Sequence, residues 1–157
     1  MANQGDFSSG DVLTAADLNG FTQVTALADS TSLSIPATTV TPLTYTSEII
    51  DVGGWHSTST NTARITPTLN GVYLIVASVS YNHTGASYYF ESVIRKNGST
   101  ALATDSVIST YYPQNSAAVV ATANGTTDYF DSYAYHTGGA AIPVFQRSFS
   151  VTLLRAL

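Results

Sequence analysis

The sequence contains no cysteine and few charged residues, and each shortage excludes a class of protein. Without cysteine, the 157-residue chain can form neither a disulfide framework nor a metal site built on thiolates. Only 10% of its residues are charged, whereas ordinary globular chains have about 25%. Its five lysines and arginines are spread between Arg64 and Arg155, so they form no basic patch of the kind that binds phosphates. We therefore expect no nucleic-acid partner.

Long apolar runs are also missing. No stretch approaches the roughly 18 residues of a membrane-spanning helix, so we expect no membrane insertion. Residues 1–6 have neither the basic region nor the apolar region of a secretory signal. These features predict a product that is made in the cytoplasm.

What the sequence does have, from about residue 33, is alternation of apolar and polar residues with a period of two. That period is typical of half-buried strands, and it is most regular at the end, where Phe149, Val151 and Leu153 share one side. Residues 72–79 are apolar on both sides, which predicts a central strand covered on both faces. Turn signals such as Asn97-Gly98 recur about every 8–12 residues. The pattern predicts an all-β jelly-roll sandwich of about eight to ten antiparallel strands.

The first part of the chain has a different pattern. Thr14 followed by Asp17 matches the start of a helix, and Gly20 is a plausible end. Apolar residues at positions 21, 24 and 28 would extend this helix if Gly20 is tolerated within it. We therefore predict an N-terminal arm with a short helix over residues 1–32 and a jelly-roll head over residues 33–157.

The sequence contains few candidate catalytic or metal-binding residues. His56, His83 and His136 could meet near a three-fold axis as metal ligands, but none has ligand spacing, so we expect loop or strand-end residues. The carboxylate pairs Asp128 with Asp131 and Glu48 with Asp51 could serve as acid and base or as calcium ligands. Neither pair lies in a calcium-loop pattern, and no Gly-x-Ser-x-Gly elbow occurs. We assign no catalytic residue, no metal and no cofactor, and we expect that the protein is not an enzyme.

Several segments resemble the complement-type globular head and the tumour necrosis factor-like jelly rolls, in the order in which those families have them. Residues 68–74 resemble a strand with a Gly-x-Tyr motif, and residues 94–98 resemble the hairpin that follows it. Residues 127–139 resemble the penultimate strand with its loop, and residues 149–154 resemble the final strand. The resemblance implies a homotrimer. By the same analogy, aromatic and apolar residues of the last strands point towards the three-fold axis. The interface candidates are Tyr133, Tyr135, Phe149 and Val151.

Residues 9–19 resemble a segment found near the N-termini of bacteriophage tail, fibre and capsid-associated proteins. Together the two resemblances imply a virion structural protein that lies on the outer surface of the particle. Because no shaft or collagen-like repeat separates the arm from the head, a capsid decoration (cement) protein is favoured over a long fibre. The arm would dock on the major capsid protein, or on another virion protein, through Phe7, Val12, Leu13 and Leu18.

The alternative function is a receptor-binding knob of a tail or head fibre that recognises a host glycan or protein. The chain has ten tyrosines, and exposed tyrosine offers a large amphipathic contact at low entropic cost. This alternative would use loops at residues 53–61, 82–87 and 111–116. The other explanation for the tyrosines is packing in the core and between subunits.

Overall fold

Eleven strands form the part of the chain that the computed structural model describes, residues 23–157. In chain order they are β1 (Val24–Asp29), β2 (Leu33–Ile35), β3 (Thr41–Pro42), β4 (Glu48–Asp51), β5 (Arg64–Ile65), β6 (Asn70–Tyr81), β7 (Thr84–Lys96), β8 (Thr100–Tyr111), β9 (Gln114–Asn124), β10 (Phe130–His136) and β11 (Ile142–Ala156). The all-β prediction is confirmed. Four strands of two to four residues, which are too short to give a sequence pattern, raise the number above the predicted eight to ten.

The strands form two antiparallel sheets. Sheet A has the order β4-β1-β11-β6-β9, with β2 also paired to β11. Sheet B has the order β3-β10-β7-β8, with β5 also paired to β10. Apolar side chains from both sheets pack into one core between them, as in a jelly-roll sandwich.

The core contains the residues that the period of two selects. On β6, Tyr73 and Ile75 are fully buried, and on β11 Phe149 packs against the buried ring of Tyr45 with centroids 6.1 Å apart. Among residues 23–157, the six largest fully buried side chains are aromatic, and each buries a large apolar area. Leu153 continues the inward row on β11.

The Asn97-Gly98 turn confirms the predicted hairpin. Strand β7 ends at Lys96, β8 begins at Thr100, and the φ angles of Asn97 and Gly98 are 56° and 72°. A type I′ turn requires positive φ at both central positions, which asparagine and glycine tolerate best.

Two local predictions are corrected. Residues 24–29 are a strand of sheet A, so the extension of the N-terminal helix through positions 24 and 28 is wrong. The predicted arm, residues 1–32, therefore shares β1 with the jelly roll. The alternating pattern of residues 43–49 predicts that Ile49 is buried like Leu43 and Tyr45, but Ile49 lies on edge strand β4 and is largely exposed.

Candidate functional site

The outer side of sheet A carries three rows of uncharged side chains. Val72, Leu74 and Val76 alternate on β6 with side chains that enter the core, and residues of neighbouring strands lie beside them. The first row is Val24, Thr152, Leu74 and Val120; the second is Ile50, Ala26, Ser150, Val76 and Ala118; the third is Ala28, Ser148, Ser78 and Ser116. We call the residues of these rows the sheet A face.

The sheet A face is open to solvent in a single chain. Leu74 is 36% exposed and Val120 is 56% exposed. An antiparallel sheet that faces water on one side normally presents polar residues there, and contiguous exposed apolar surface marks a contact site. The prediction that residues 72–79 are covered on both faces therefore holds for the core side only. The other side lacks a cover within residues 23–157.

Small side chains along the middle strand, β11, keep the sheet A face flat. The β11 column consists of Ser148, Ser150 and Thr152, whose hydroxyl groups are uncharged and little hydrated compared with lysine or glutamate. Such a surface loses less solvation energy than a charged surface when another flat surface covers it. The sheet A face is suited to packing against another surface, and its residues include no acid or base.

A buried ion pair lies beneath one end of the sheet A face. Arg147 Nη2 is 3.2 Å from Asp29 Oδ2, and Arg147 Nε donates to the carbonyl oxygen of Thr44 at 2.7 Å. Burial by itself raises the pKa of Asp29, but hydrogen bonds from Thr31 and Thr46 outweigh it and lower the pKa to about 2. Asp29 is therefore a fully partnered carboxylate that ties β1 to its neighbours.

The outer side of sheet B is different, because it carries charge and aromatic rings. Asp131 of β10 lies between Arg95 of β7 and Arg64 of β5 in the sheet register. Arg95 stacks on the ring of Tyr133, with its Cζ 4.5 Å from the ring centroid. Charged groups are therefore spread over an otherwise aromatic surface.

The four predicted trimer-interface residues do not form one surface. Tyr133 and Tyr135 are half-buried on the outer side of sheet B. Phe149 and Val151 are 1% and 0% exposed in a single chain because they point into its core. A side chain buried inside one protomer offers no surface to a second, so the prediction is wrong for Phe149 and Val151. The other side of β11 belongs to the sheet A face.

The predicted anchoring residues lie outside the described residues. Phe7, Val12, Leu13 and Leu18, as well as the helix predicted from Thr14, all precede residue 23. Their roles stay predictions.

The histidines make ordinary hydrogen bonds. His56 contacts Glu48 and the carbonyl oxygen of Thr62, at 2.9 and 3.2 Å. His83 Nε2 donates to the carbonyl oxygen of Ala86 in its own loop, whereas His136 is fully buried and its Nε2 donates to the carbonyl oxygen of Ile35 at 2.9 Å. Within residues 23–157, no three histidine, aspartate or glutamate side chains come together as metal ligands would.

The remaining carboxylates hold loops. Asp51 accepts from the backbone N–H groups of Trp55 and His56, and Asp128 accepts from Asn97 and from the N–H of Asn124. The predicted structural role of these carboxylates fits these contacts. Over the described part of the chain, no helix has the length and apolar character to span a membrane.

The fold is similar to that of two groups of solved structures. The globular domain of zebrafish complement 1qA protein matches with a TM-score of 0.59 and 12% identity, covering 86% of this chain and 99% of that one. Murine APRIL at pH 5.0 matches with a TM-score of 0.62 and 13% identity, covering 85% of this chain and 99% of that one. At such low identity the likeness establishes the jelly-roll fold alone. No protein-family model matches the sequence, and no curated protein matches it.

Sequence reasoning missed the sheet A face, although one signal for it was visible. The apolar residues at positions 72, 74 and 76 are out of phase with the core residues at 73, 75 and 77. That second apolar phase predicted a cover, but it did not show that no strand of residues 23–157 supplies one.

Proposed function

We propose that the chain is a non-enzymatic structural module that assembles as a homotrimer through the sheet A face. The observation that carries this proposal is the open row of apolar and hydroxyl side chains centred on Leu74 and Val76. The resemblance to complement and tumour necrosis factor-like heads supports three copies, since those heads are trimers. Covering this face removes apolar area from water, worth roughly 25 cal/mol per Å² as an upper bound.

The trimer decorates a bacteriophage capsid and stabilises it as a cement protein. The resemblance of residues 9–19 to capsid- and tail-associated segments supports this placement, with Phe7, Val12, Leu13 and Leu18 as docking residues. Three arms on one trimer bind three capsid subunits and gain avidity without any new type of contact. Burial of apolar arm residues across subunit junctions then raises the energy needed to separate those subunits.

The test is a binding assay between the full chain and capsids of the bacteriophage that carries its gene. The variant combines Leu13→Asp with Leu18→Asp, and its control is Ile108→Asp, which replaces an exposed apolar residue of β8 in the head. We expect the arm variant to lose capsid binding while it keeps its trimeric mass, and the control to keep both. Capsid binding that survives in the arm variant would contradict the docking role. Truncations must stop before Val24, because β1 belongs to sheet A.

A receptor-binding knob is the second candidate, and one observation favours it. Tyr111 is 70% exposed, its ring lies 4.5 Å from that of Tyr112, and the N–H of Tyr112 donates to the carbonyl oxygen of His83. Two of the three predicted loops, 82–87 and 111–116, therefore adjoin, whereas loop 53–61 lies at the opposite end of β6, where Trp55 contacts Tyr73. Binding of the full chain to host cells, lost on Tyr111→Ser, would favour this candidate over the capsid role.

A further inference from the structure

A cleft opens on the outer side of sheet B, where β3 and β5 both pair with the same edge of β10. Its volume is about 350 Å³, and its lining includes Thr44, Asn61, Arg64, Tyr129 and Asp131. The short lengths of β3 and β5 leave this gap, because neither covers the whole edge of β10. The cleft lies on the other sheet from the sheet A face, so assembly through that face leaves it free.

The carboxylate of Asp131 in this cleft is buried but only half-satisfied. The residue is 5% exposed, and its Oδ2 accepts from the hydroxyl of Tyr133 at 2.8 Å. Its Oδ1 is buried and has no hydrogen-bond partner. Burial raises the pKa of Asp131 in spite of the Tyr133 hydrogen bond. A buried acceptor without a partner is costly and uncommon. Asp131 is one of the residues that line the cleft, so a ligand that brings a donor to Oδ1 offsets this cost.

Two guanidinium groups flank this carboxylate, but neither forms an ion pair with it within 4.0 Å. Arg64 lies over the ring of Tyr129, with its Cζ 4.7 Å from the centroid, and Arg95 lies over Tyr133. Among residues 23–157, the ion pairs within 4.0 Å involve His56, Lys96 and Arg147, and neither of these two arginines. Arg64 lines the cleft, and Arg95 lies opposite Asp131 on the neighbouring strand, so two positive groups flank one negative group. Stacking on the ring of Tyr129 orients the guanidinium group of Arg64, whose N–H groups suit a planar acceptor.

These groups together define one kind of ligand. Asp131 Oδ1 requires a donor, Arg64 suits a carboxylate, and the hydroxyl and amide groups of Thr44 and Asn61 suit further hydroxyl groups. We infer that the cleft between β3, β5 and β10 binds an acidic sugar residue, with a sugar hydroxyl donating to Asp131 and the sugar carboxylate paired with Arg64. This site goes beyond the proposed structural role and does not depend on it.

Other small ligands fit these groups less well. A divalent cation would meet one carboxylate between two guanidinium groups, whereas calcium takes six to eight oxygen ligands. A phosphate or sulfate carries no hydroxyl donor when fully ionised, and it would leave Asp131 Oδ1 unpaired beside a second negative charge. An amino sugar would place its cation next to Arg64.

The experiment is an NMR titration of the ¹⁵N-labelled full chain with D-glucuronate, and with methyl glucoside and D-glucosamine as neutral and cationic comparisons. We expect saturable shifts for D-glucuronate at the amides of residues 61–64 and 129–133, and weaker binding of both comparison sugars. Arg64→Gln should weaken D-glucuronate binding by about tenfold, since it removes a charge-assisted hydrogen bond. Its matched control is Arg155→Gln, which removes an exposed arginine at the end of β11.

Three results would overturn the inference. The first is the absence of saturable shifts with D-glucuronate in the folded wild-type chain. The second is equal binding of methyl glucoside or D-glucosamine, which would refute the acidic character of the ligand. The third is an equal loss of affinity in Arg155→Gln and Arg64→Gln, which would show that the loss comes from the net charge of the chain and not from a contact of Arg64. The unperturbed amide spectrum of each variant establishes that it is folded.

Discussion

The two outer faces of this sandwich come from neighbouring stretches of the same alternating sequence, yet they have opposite chemistry. The sheet A face, centred on Leu74 and Val76, has no charged residue, whereas the outer side of sheet B carries Arg64, Arg95 and Asp131. An uncharged, largely apolar face gains free energy when a flat partner covers it. A face with fixed charges loses solvation energy under such a cover and is better suited to water or to a polar ligand. This difference is the basis for proposing assembly through sheet A and ligand binding on sheet B.

The buried carboxylates behind the two faces differ in the same way. Asp29, under sheet A, has an ion pair with Arg147 and hydrogen bonds from two threonines. Asp131, under the outer side of sheet B, accepts from the hydroxyl of Tyr133, and its Oδ1 has no partner. A satisfied carboxylate stabilises a scaffold, whereas an unsatisfied one is a cost that a bound ligand can offset.

The largest expected effect comes from placing a charge on the sheet A face. Leu74→Glu should convert the assembly to monomers, because each contact would bury an unpaired carboxylate. The monomer should stay folded, since Leu74 is 36% exposed in a single chain. The control, Thr104→Glu, places the same charge on the outer side of β8 in sheet B. Light scattering coupled to size-exclusion chromatography measures both masses, and a mass change in Thr104→Glu alone would reverse the assignment of the faces.

The next effect comes from the ion pair beneath sheet A. Arg147→Met should lower the free energy of unfolding by about 3–5 kcal/mol, because it leaves Asp29 buried and unpaired. Arg155→Met removes an exposed arginine of the same strand, and surface changes of that kind usually stay within about 0.5 kcal/mol. Urea unfolding at one fixed protein concentration measures both variants. Equal losses in the two would show that Arg147 has no special role.

The smallest expected effects come from the two buried carboxylates, and they should have opposite signs. The pKa of Asp29 is lowered from 3.8 to about 2. Its ionised form therefore stabilises the fold above pH 3.8, and this contribution is lost as the pH falls from 3.8 towards 2. Asp29→Asn should cost on the order of 2 kcal/mol at pH 7.

For Asp131 the pKa is raised above 3.8 because the carboxyl is buried. Its contribution to stability is therefore present below pH 3.8 and is lost as the pH rises through the raised pKa. Asp131→Asn should raise the free energy of unfolding at pH 7, where the ionised carboxylate is disfavoured. Urea unfolding of both variants at pH 7 measures the contrast, and a loss of stability in Asp131→Asn would contradict it.

The sequence predicted the fold class because the features that specify it are local and periodic. The alternation on β11 placed Phe149 and Leu153 on one side, and the positive φ required at Asn97 and Gly98 fixed one hairpin. The shortest strands escaped prediction because two residues, as in β3 and β5, contain no period. Residues 24–29 were misassigned because apolar spacing at 21, 24 and 28 fits a helix. Their pairing with β11, more than a hundred residues away, is not local information.

The candidate sites were harder to predict than the fold. Alternation separates two sides of a strand, but it does not say which side meets the core and which meets a partner. The analogy with trimeric heads assigned Phe149 and Val151 to an interface, and the alternation offered no correction. The cleft at Asp131 depends on Arg64 and Arg95 arriving from two other strands, and no spacing along the chain reveals that meeting. The Asp29 and Arg147 pair was missed for the same reason, since these residues are brought together only by the pairing of β1 with β11.

The most direct test of the central claim is the molar mass of the full wild-type chain in solution. Sedimentation equilibrium over a range of protein concentrations should give three times the 16.5 kDa of one chain, because copies cover each other's sheet A faces. On dilution, the trimer should dissociate into monomers that keep their β structure. A mass of one chain at every concentration, with the sheet A face still open to solvent, would contradict the account.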